Sequence, residues 1–534
     1  MYSIQCNSAW PIIYVRGYAM TRSEINETTA DPFCGFNIGS TVYRATPDAK
    51  TPPRKFIFES PLVRLQSDFE YKDVYEGGLD INDPDWTGFI PLRSIVIYRY
   101  YDPASTLLGA GKTPAIKDFA KGLSDLILRV RDLVCGDPKN QVKRQEFRCH
   151  LVAHSMGGLV CRAFLQNPAN GSDQARNCVD KFFTYATPHN GIEMAGINVP
   201  EWLGANDINN FNRDYMADYL AIDPALYKRT KRVDWIPEES FPSEKIFCMV
   251  GTNRSDYDVA AGVSRTFAGN GSDGLVRVAN ASVWGVNKQN KFSAPSATAY
   301  TYRSHSGHFG IVNSEESYQN LVRFLFGDVR VDVWLDVFEV RVAQELEKAD
   351  EKGDVEALYQ FEVMASPRGK RWFLTRRIAE EDSVACRDHS VLRQATAKKP
   401  EQIYLSTIFL AARYKVTSTP GTLAYSLTIG VKVPDYEVNK KFWPDRHYEG
   451  DYLYRDSVIV ELLPPAEEGG DWQVKYNWQS KDPGQAEKLI NPKELRNGKV
   501  EIAIPFATAD QSPPRSPGIT GQLRFVASAW NENK

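Results

Sequence analysis

The stretch FRCHLVAHSMGGLVCRAFL (147–165) decides the fold of this chain. Its first half is an apolar strand pattern that runs into Ser155, and a helical pattern opens directly after that serine. A sharp turn from strand to helix strains the serine backbone, so the residues two positions before and after it must be small. Ala153 and Gly157 meet this requirement, with Ala153 standing where glycine is more usual. We therefore interpret Ser155 as a candidate nucleophile.

The region around this turn has the alternating pattern of an α/β fold. From residue 10 to about 328, short apolar runs alternate with longer segments of helical period, which is typical of a parallel sheet covered by helices. The clearest helices are 113–134, with one apolar face, and 315–327, which starts with acidic residues and ends at a glycine. The predicted strands are PIIYV (11–15), SIVIYRYY (94–101), FRCHLVA (147–153), KFFTYA (181–186), KIFCMV (245–250) and ATAYTYR (297–303).

The sequence changes character near residues 328–332. Beyond that point apolar and polar residues alternate with a period of two, in runs such as RVDVWLDVFEVRV (330–342) and LAYSLTIGVKV (423–433), separated by Gly, Pro, Asn and Asp. Repeated short strands of this kind predict an antiparallel sandwich. We therefore expect an α/β domain over 1–329 and an all-β, sandwich-like domain over 330–534.

A serine nucleophile needs a base, and the base needs an acid that fixes its tautomer. The stretch GNGSDGLVRVANA (269–281) places Asp273 in a glycine-flanked loop beyond a predicted strand. Loops at the carboxyl ends of strands line the edge of an open sheet where ligands bind. We take Asp273 as the acid, with Asp256 and Asp258 as alternatives.

The candidate base lies in SHSGHFGIVNSEES (304–317), which follows the last predicted strand. We favour His308 because apolar Phe309 and Ile311 follow it and lead into the last helix. His305, in the polar part of the same stretch, is the alternative.

Stabilisation of an oxyanion requires two backbone amides, one after the nucleophile and one from the loop after an early strand. The N–H of Met156 fits the first role. The segment PIIYVRGYAM (11–20) fits the second, since Gly17 permits a turn and the N–H of Tyr18 would then be the donor.

These motifs together resemble those of the lipase and esterase branch of the α/β-hydrolase superfamily, especially bacterial lipases and GPI-inositol-deacylase-like proteins. The resemblance covers about residues 10–328 and none of the C-terminal part. It implies hydrolysis of carboxylic esters, extending to long-chain lipids or phospholipids, by a covalent acyl-enzyme on Ser155 without metal or cofactor. The motifs that carry it occur in the family's order: VRGY (15–18), AHSMGG (153–158), ATPHNG (186–191), SDGLV (272–276) and GHFG (307–310).

The segment 192–243 is inserted after the ATPHNG motif, where lipase lids occur. Its many apolar residues would suffice to cover an acyl pocket. A moving lid and a permanent helical cap both fit this composition.

Two other classes of function stay open at the level of sequence. A serine hydrolase with a different reaction, such as an amidase or an acyltransferase, would use the same nucleophile turn. A non-catalytic scaffold of the same fold is expected to lack one of the three triad residue types, and none is missing here.

Composition and charge restrict the partners and the compartment. The 534 residues are 42% hydrophobic and 25% charged, which is typical of a globular chain with large cores. A formal net charge of −3 gives no reason to expect nucleic acid. We expect no transmembrane segment and, because the start lacks the features of a secretory signal, a cytoplasmic protein or one exported by a non-Sec route. Expected partners are an ester or lipid substrate and, transiently, a membrane surface.

Overall fold

The structure is a computed structural model that describes residues 9–17, 40–44, 54–58, 60–74, 81, 86–100, 114–194, 197–198, 211–254, 271–306, 310–414, 423–438, 446–463, 473–480, 488–495, 498–508 and 516–531. By their contacts the residues divide into two compact units. Unit 1 comprises 1–298 and 302–321, and unit 2 comprises 299–301 and 322–534.

A seven-stranded sheet is the framework of the α/β region. Its strands are β1 (Ile12–Val15), β2 (Lys72–Asp73), β3 (Ser94–Tyr98), β4 (Cys149–His154), β5 (Val179–Tyr185), β6 (Ile246–Gly251) and β7 (Ala297–Thr301). They lie in the order β7-β6-β5-β4-β1-β3-β2. The five pairings that connect β2 through β6 are all parallel. The carboxyl ends of β1, β4, β5 and β6 therefore meet at one edge, where ligands of open α/β sheets bind.

The helices that accompany this sheet are α1 (Pro61–Phe69), α2 (Ile116–Gly136), α3 (Met156–Gln166), α4 (Asp173–Arg176), α5 (Arg213–Tyr219), α6 (Pro224–Thr230) and α7 (Glu315–Phe326). Helix α2 buries the apolar face that its sequence period predicts, including Phe119, Leu123 and Ile127. Helix α3 is buried along its whole length, which suits a helix with few polar residues.

Short elements complete the description of unit 1. A small sheet joins Trp235–Pro237, Trp284–Val286 and Phe292–Pro295. Two antiparallel pairs consist of Ser40–Arg44 with Arg54–Phe58 and of Glu193–Met194 with Ile197–Asn198. Single turns of 3-10 helix span Pro168–Asn170, Ser243–Lys245 and Val278–Asn280.

Part of the segment 192–243 packs into the core of unit 1. Met216 and Leu220 are fully buried. Side chains near the end of α3 hold its backbone, since Gln166 donates to the carbonyl of Leu220 (2.7 Å) and Asn167 to that of Tyr219 (3.0 Å). Parts of 211–243 thus pack against the end of α3. Trp202 and Leu203, which are among the apolar residues of this segment, lie outside the described residues.

Unit 2 is built from two antiparallel sheets. Its long strands are β8 (Val329–Arg341), β9 (Val355–Pro367), β10 (Glu401–Leu410), β11 (Leu423–Lys432), β12 (Tyr452–Leu463), β13 (Gln473–Trp478), β14 (Val500–Ala507) and β15 (Gly518–Ala529). The five-stranded sheet has the order β10-β8-β15-β14, extended by Lys493–Glu494. The nine-stranded sheet has β9-β11-β12-β13 at its centre, with short strands Thr375–Arg377, Ala385–Asp388, Asp435–Val438, Arg446–Glu449 and Lys488–Ile490.

Both sheets of unit 2 contribute side chains to one hydrophobic core. Val333 and Leu335 of β8 and Phe525 of β15 come from the five-stranded sheet, and Phe361 of β9 and Val458 of β12 come from the other. Along most of β15 buried residues alternate with more exposed ones, as the period of two in the sequence predicts, whereas the last six residues of β10 are all buried. Short helices at Glu347–Lys352 and His389–Leu392 complete this unit.

The α/β sheet and the β-rich remainder agree with the sequence analysis at this coarse level. Every strand predicted before residue 304 overlaps a strand of the seven-stranded sheet. Among the described residues, no helix is both long enough and apolar enough to cross a membrane.

Candidate active site

Ser155 lies on the sharp turn between β4 and α3. Its backbone has φ 53° and ψ −128°, in the left-handed region that non-glycine residues rarely occupy. The turn is held because the Ser155 N–H donates to the carbonyl of Tyr185 (2.9 Å) and the Ser155 carbonyl accepts from the N–H of Gly158 (3.0 Å). The serine side chain is presented at the carboxyl edge of the sheet, as the motif predicts.

Three glycines allow neighbouring segments to approach this turn. A Cβ atom on Gly157 would lie 2.2 Å from the carbonyl oxygen of Val15, and one on Gly17 would lie 2.5 Å from the Cβ of Ser155. A Cβ on Gly158 would lie 2.1 Å from the Oγ1 of Thr187. The loop after β1 and the loop after β5 therefore pack directly against the nucleophile turn.

Asp273 is buried in the loop that follows β6 and is 1% exposed. Its Oδ1 accepts hydrogen bonds from the backbone N–H groups of Leu275 (3.0 Å) and Val276 (2.8 Å). The second carboxylate oxygen is left facing the loop after β7. Gly251, the last residue of β6, leaves space for the Asp273 side chain, because a Cβ on this glycine would lie 2.8 Å from the Cβ of Asp273.

The ring of His305 bridges Asp273 and Ser155. Its Nδ1 lies 3.0 Å from Oδ2 of Asp273, and its Nε2 lies 3.0 Å from Oγ of Ser155. Since a carboxylate can only accept, Nδ1 carries the hydrogen and the lone pair of Nε2 faces the serine hydroxyl. This is the arrangement in which a histidine can remove a proton from serine.

The position that the sequence analysis gave to His308 is thus held by His305. His308 itself lies outside the described residues. The physical reason is the path of the loop after β7: the backbone N–H of His305 donates to the carbonyl of Asp273 (3.0 Å), which places residue 305 against the acid. The expectation rested on the apolar residues after His308. Such residues help to predict where the next helix begins, but they do not indicate which histidine ring contacts Ser155.

His154, which flanks the nucleophile in the sequence, supports the backbone of this loop. Its Nε2 lies 2.9 Å from the carbonyl oxygen of His305, so Nε2 is the protonated nitrogen and donates. Burial, and then the neighbouring His305, hold the pKa of His154 well below its ordinary value. A neutral His154 therefore fixes the main chain of His305 without adding a charge beside it.

The buried cation Arg162 was not predicted as a functional residue, because it lies within an apolar helix pattern. It is completely buried on α3 and donates to the carbonyls of His189, Val233 and Trp235, each at 2.9 Å. Burial lowers the pKa of Arg162 to about 10. A charged residue in an otherwise apolar helix is the signal that could have identified it, since such residues are seldom buried without partners.

The expected oxyanion site is described in part. Met156 is the first residue of α3, where the backbone N–H groups of a helix point toward a negative charge. Tyr18, the other expected donor, lies outside the described residues. Its neighbour Gly17 packs against Ser155, so the loop after β1 reaches the nucleophile.

The described residues include no group of three or more His, Cys, Asp or Glu side chains placed to hold a metal ion.

The sequence matches no known family model and no curated protein. Among solved structures, that of a Bacillus licheniformis lipase in propeptide form is similar to this chain, with 12% sequence identity and a TM-score of 0.28. The match covers 87% of this chain and 96% of the lipase chain. Phospholipase PlaB from Legionella pneumophila is 12% identical with a TM-score of 0.27, covering 82% and 90%. A Listeria innocua gene product is 13% identical with a TM-score of 0.24, covering 59% and 93%. With TM-scores this low, these similarities carry no argument about the present chain.

Proposed function

We propose that the chain is a serine hydrolase of the α/β-hydrolase type that cleaves carboxylic acyl esters through an acyl-enzyme on Ser155. The observation that carries the proposal is the continuous chain of hydrogen bonds from Ser155 through His305 to Asp273. These three residues lie at the carboxyl edge of a parallel sheet, and the backbone of Ser155 has the strained conformation of a nucleophile turn. Lipid esters, including phospholipids, are the proposed substrate class.

In the proposed reaction, Nε2 of His305 removes the Oγ proton of Ser155 as Oγ attacks the acyl carbonyl carbon. The carbonyl oxygen becomes an oxyanion, which the N–H of Met156 stabilises together with a second amide that we assign to Tyr18. His305 then gives its proton to the leaving alkoxide, and the acyl group stays on Oγ. Water enters, loses a proton to His305 and releases the carboxylic acid, and Ser155 regains its proton. Asp273 keeps His305 in the required tautomer throughout.

The test is hydrolysis of p-nitrophenyl esters from acetate to palmitate, and of a diacyl phospholipid, by the wild type and by Ser155→Ala. We expect turnover by the wild type and a loss of about 10⁴-fold or more in the variant, as removal of a triad serine causes elsewhere. Ser67→Ala, at an exposed serine of α1, is the matched control and should retain activity.

The chain-length profile of the wild type then separates the substrate classes. A preference for long chains or for the phospholipid would identify a lipase or phospholipase, and turnover of short esters alone would identify an esterase. A folded wild type that is inert on all of them would contradict the proposed ester class. Full activity in Ser155→Ala would contradict the nucleophile.

A further inference from the structure

His154 is the last residue of β4, the middle strand of the seven-stranded sheet, and it directly precedes Ser155. Its backbone is held within the sheet, where His154 pairs with Tyr185 of β5 in parallel register. The imidazole of His154 therefore extends from a rigid support, one residue away from the nucleophile.

The ring of His154 contacts the loop that carries His305. Its Nε2 donates to the carbonyl of His305 (2.9 Å), and the centroids of the two imidazole rings lie 4.9 Å apart. The backbone N–H of His305 donates to the carbonyl of Asp273 (3.0 Å). Both polar groups of the His305 backbone are therefore hydrogen bonded, one to the acid of the triad and the other to His154.

The same ring packs close to the loop after β1. A Cβ atom on Gly17 would lie 3.2 Å from Nδ1 of His154 and 3.1 Å from its carbonyl oxygen. The shape of the His154 ring thus matters to a second loop beside Ser155, in addition to the hydrogen bond that the ring donates. A test of the hydrogen bond must for this reason keep a side chain of similar size.

A donor in this place has to be uncharged. His305 becomes an imidazolium when it takes the proton of Ser155, and a second cation at a ring distance of 4.9 Å would oppose that change. Lysine and arginine donate while positively charged. Burial, and then His305, hold the pKa of His154 well below its ordinary value, so this histidine donates as a neutral ring.

We propose that His154 is a positioning residue of the hydrolase, whose Nε2–H holds the backbone of His305 so that the His305 ring meets both Ser155 and Asp273. The inference rests on the proposed function. Without this donor the carbonyl of His305, a residue that is 3% exposed, would lose a hydrogen bond, and the loop would move to replace it. A displacement of about 1 Å at a reacting group lowers a rate by about 10²-fold.

Steady-state kinetics of His154→Phe and His154→Gln on p-nitrophenyl esters test the proposal. Phenylalanine keeps a ring but has no donor, whereas the side-chain amide of glutamine donates. We expect His154→Phe to lower kcat and kcat/KM together by about 10- to 100-fold, with KM changed less than about threefold. His154→Gln restores the donor, so its kcat should exceed that of His154→Phe by at least about fivefold.

A second measurement needs no substrate. In protein labelled with ¹⁵N-histidine, the Nδ1–H of His305 gives a proton resonance that is identified by its absence from His305→Gln. We expect this resonance in the wild type and in His154→Gln. It should be lost by exchange with solvent in His154→Phe, because a displaced His305 ring no longer keeps its hydrogen bond to Asp273. A wild type that shows this pattern but cleaves no ester would contradict the proposed function and still support the placement of His305 by His154.

The proposal is overturned if His154→Phe, folded by circular dichroism, keeps both the wild-type kcat and the His305 resonance. It is equally overturned if the loss lies in KM alone, or if His154→Gln loses as much activity as His154→Phe. Should His154→Phe fail to fold, His154→Leu, which also lacks a donor, takes its place under the same criteria.

Discussion

The protonation of the histidines around Ser155 follows from their partners. His305 donates from Nδ1 to the carboxylate of Asp273, which leaves Nε2 as an acceptor for the serine hydroxyl. His154 donates from Nε2 to the carbonyl of His305. Each ring thus has one defined tautomer, and of these two described histidines it is His305 whose unprotonated nitrogen faces the nucleophile. At the scale of residues, the proposed chemistry depends on which histidine this is.

We now take His305, and not His308, as the candidate base, and this choice can be tested directly. We expect His305→Gln to lower kcat for p-nitrophenyl esters by about 10⁴-fold or more, because the serine loses its proton acceptor. His308→Gln should affect kcat far less. Steady-state kinetics on both variants, with circular dichroism to verify folding, measures the difference. A larger loss in His308→Gln than in His305→Gln would restore His308 as the base.

At the scale of elements, the turn from β4 to α3 depends on close backbone packing. A methyl group on Gly157 would lie 2.2 Å from the carbonyl oxygen of Val15 and 2.4 Å from that of Arg16. Backbone atoms of a central strand and its loop cannot move aside as a flexible side chain can. The nucleophile turn and β1 must therefore separate if this position carries a side chain.

We accordingly expect Gly157→Ala to lower ester hydrolysis at least tenfold and to cost about 1–3 kcal/mol of unfolding free energy. Gly498→Ala is a control for activity alone, because its added methyl would meet no atom within 4 Å but its φ of 68° strains an alanine there and lowers stability for a separate reason. Kinetics and chemical denaturation of the two variants measure both effects. Wild-type activity in Gly157→Ala would mean that β1 does not pack against the turn in this way.

In unit 2, the pairing of β8 with β15 contains a buried ion pair. The carboxylate of Asp336 accepts from Nε (2.8 Å) and Nη2 (3.0 Å) of Arg524, and the Asp336 side chain is 2% exposed. Removing the arginine would leave a buried carboxylate without its counter-charge, which costs much more than the pair itself contributes.

We expect Arg524→Met to lower the unfolding free energy by about 3–5 kcal/mol. Arg341→Met is the matched control on β8, since Arg341 pairs with the more exposed Glu339 and should cost less than about 1 kcal/mol. Urea denaturation of the three proteins gives both values. Equal losses in the two variants would show that burial does not distinguish these pairs.

At the scale of the whole molecule, buried neutral histidine links stability to pH. His189 is fully buried, and its Nε2 donates to Oγ1 of Thr184 (3.3 Å), whose own hydroxyl donates to the carbonyl of Phe247 (3.1 Å). Its Nδ1 has no hydrogen-bond partner among the described residues. Burial, and then Arg162, hold the pKa of His189 well below its ordinary value of 6.5.

The unfolded chain therefore takes up a proton below pH 6.5 that the folded protein does not take up. The stability contributed by neutral His189 is complete above this pH and is lost as pH falls, by about 1.4 kcal/mol per pH unit. We expect His189→Gln to flatten the dependence of unfolding free energy on pH below 6.5 by this amount. Denaturant titrations at several pH values measure the slope, and identical slopes in variant and wild type would refute the assignment.

Much of this architecture could be predicted from local patterns. The apolar runs that became β1, β3, β4, β5, β6 and β7 are short and strongly patterned, and the small residues around Ser155 mark the turn before any contact is known. Asp273 follows from a glycine-flanked loop after a strand. These signals lie within a few residues of the feature that they predict.

The base could not be predicted in the same way. The choice between His305 and His308 depends on how a loop folds back onto Asp273, which is a contact across 32 positions of sequence. The packing of 211–243 likewise involves hydrogen bonds from distant side chains of α3 and the loop that follows it. A single sequence records the residue types in such contacts but not their partners.

The most direct measurement of the central claim is the reaction of the protein with a fluorophosphonate, followed by mass spectrometry of its peptides. An activated serine attacks phosphorus and expels fluoride, so labelling does not depend on the acyl group or head group of the natural substrate. The account predicts one adduct per chain, on Ser155, that is absent from Ser155→Ala and greatly slowed in His305→Gln. Absence of an adduct in the folded wild type, or an adduct on another residue, would contradict it.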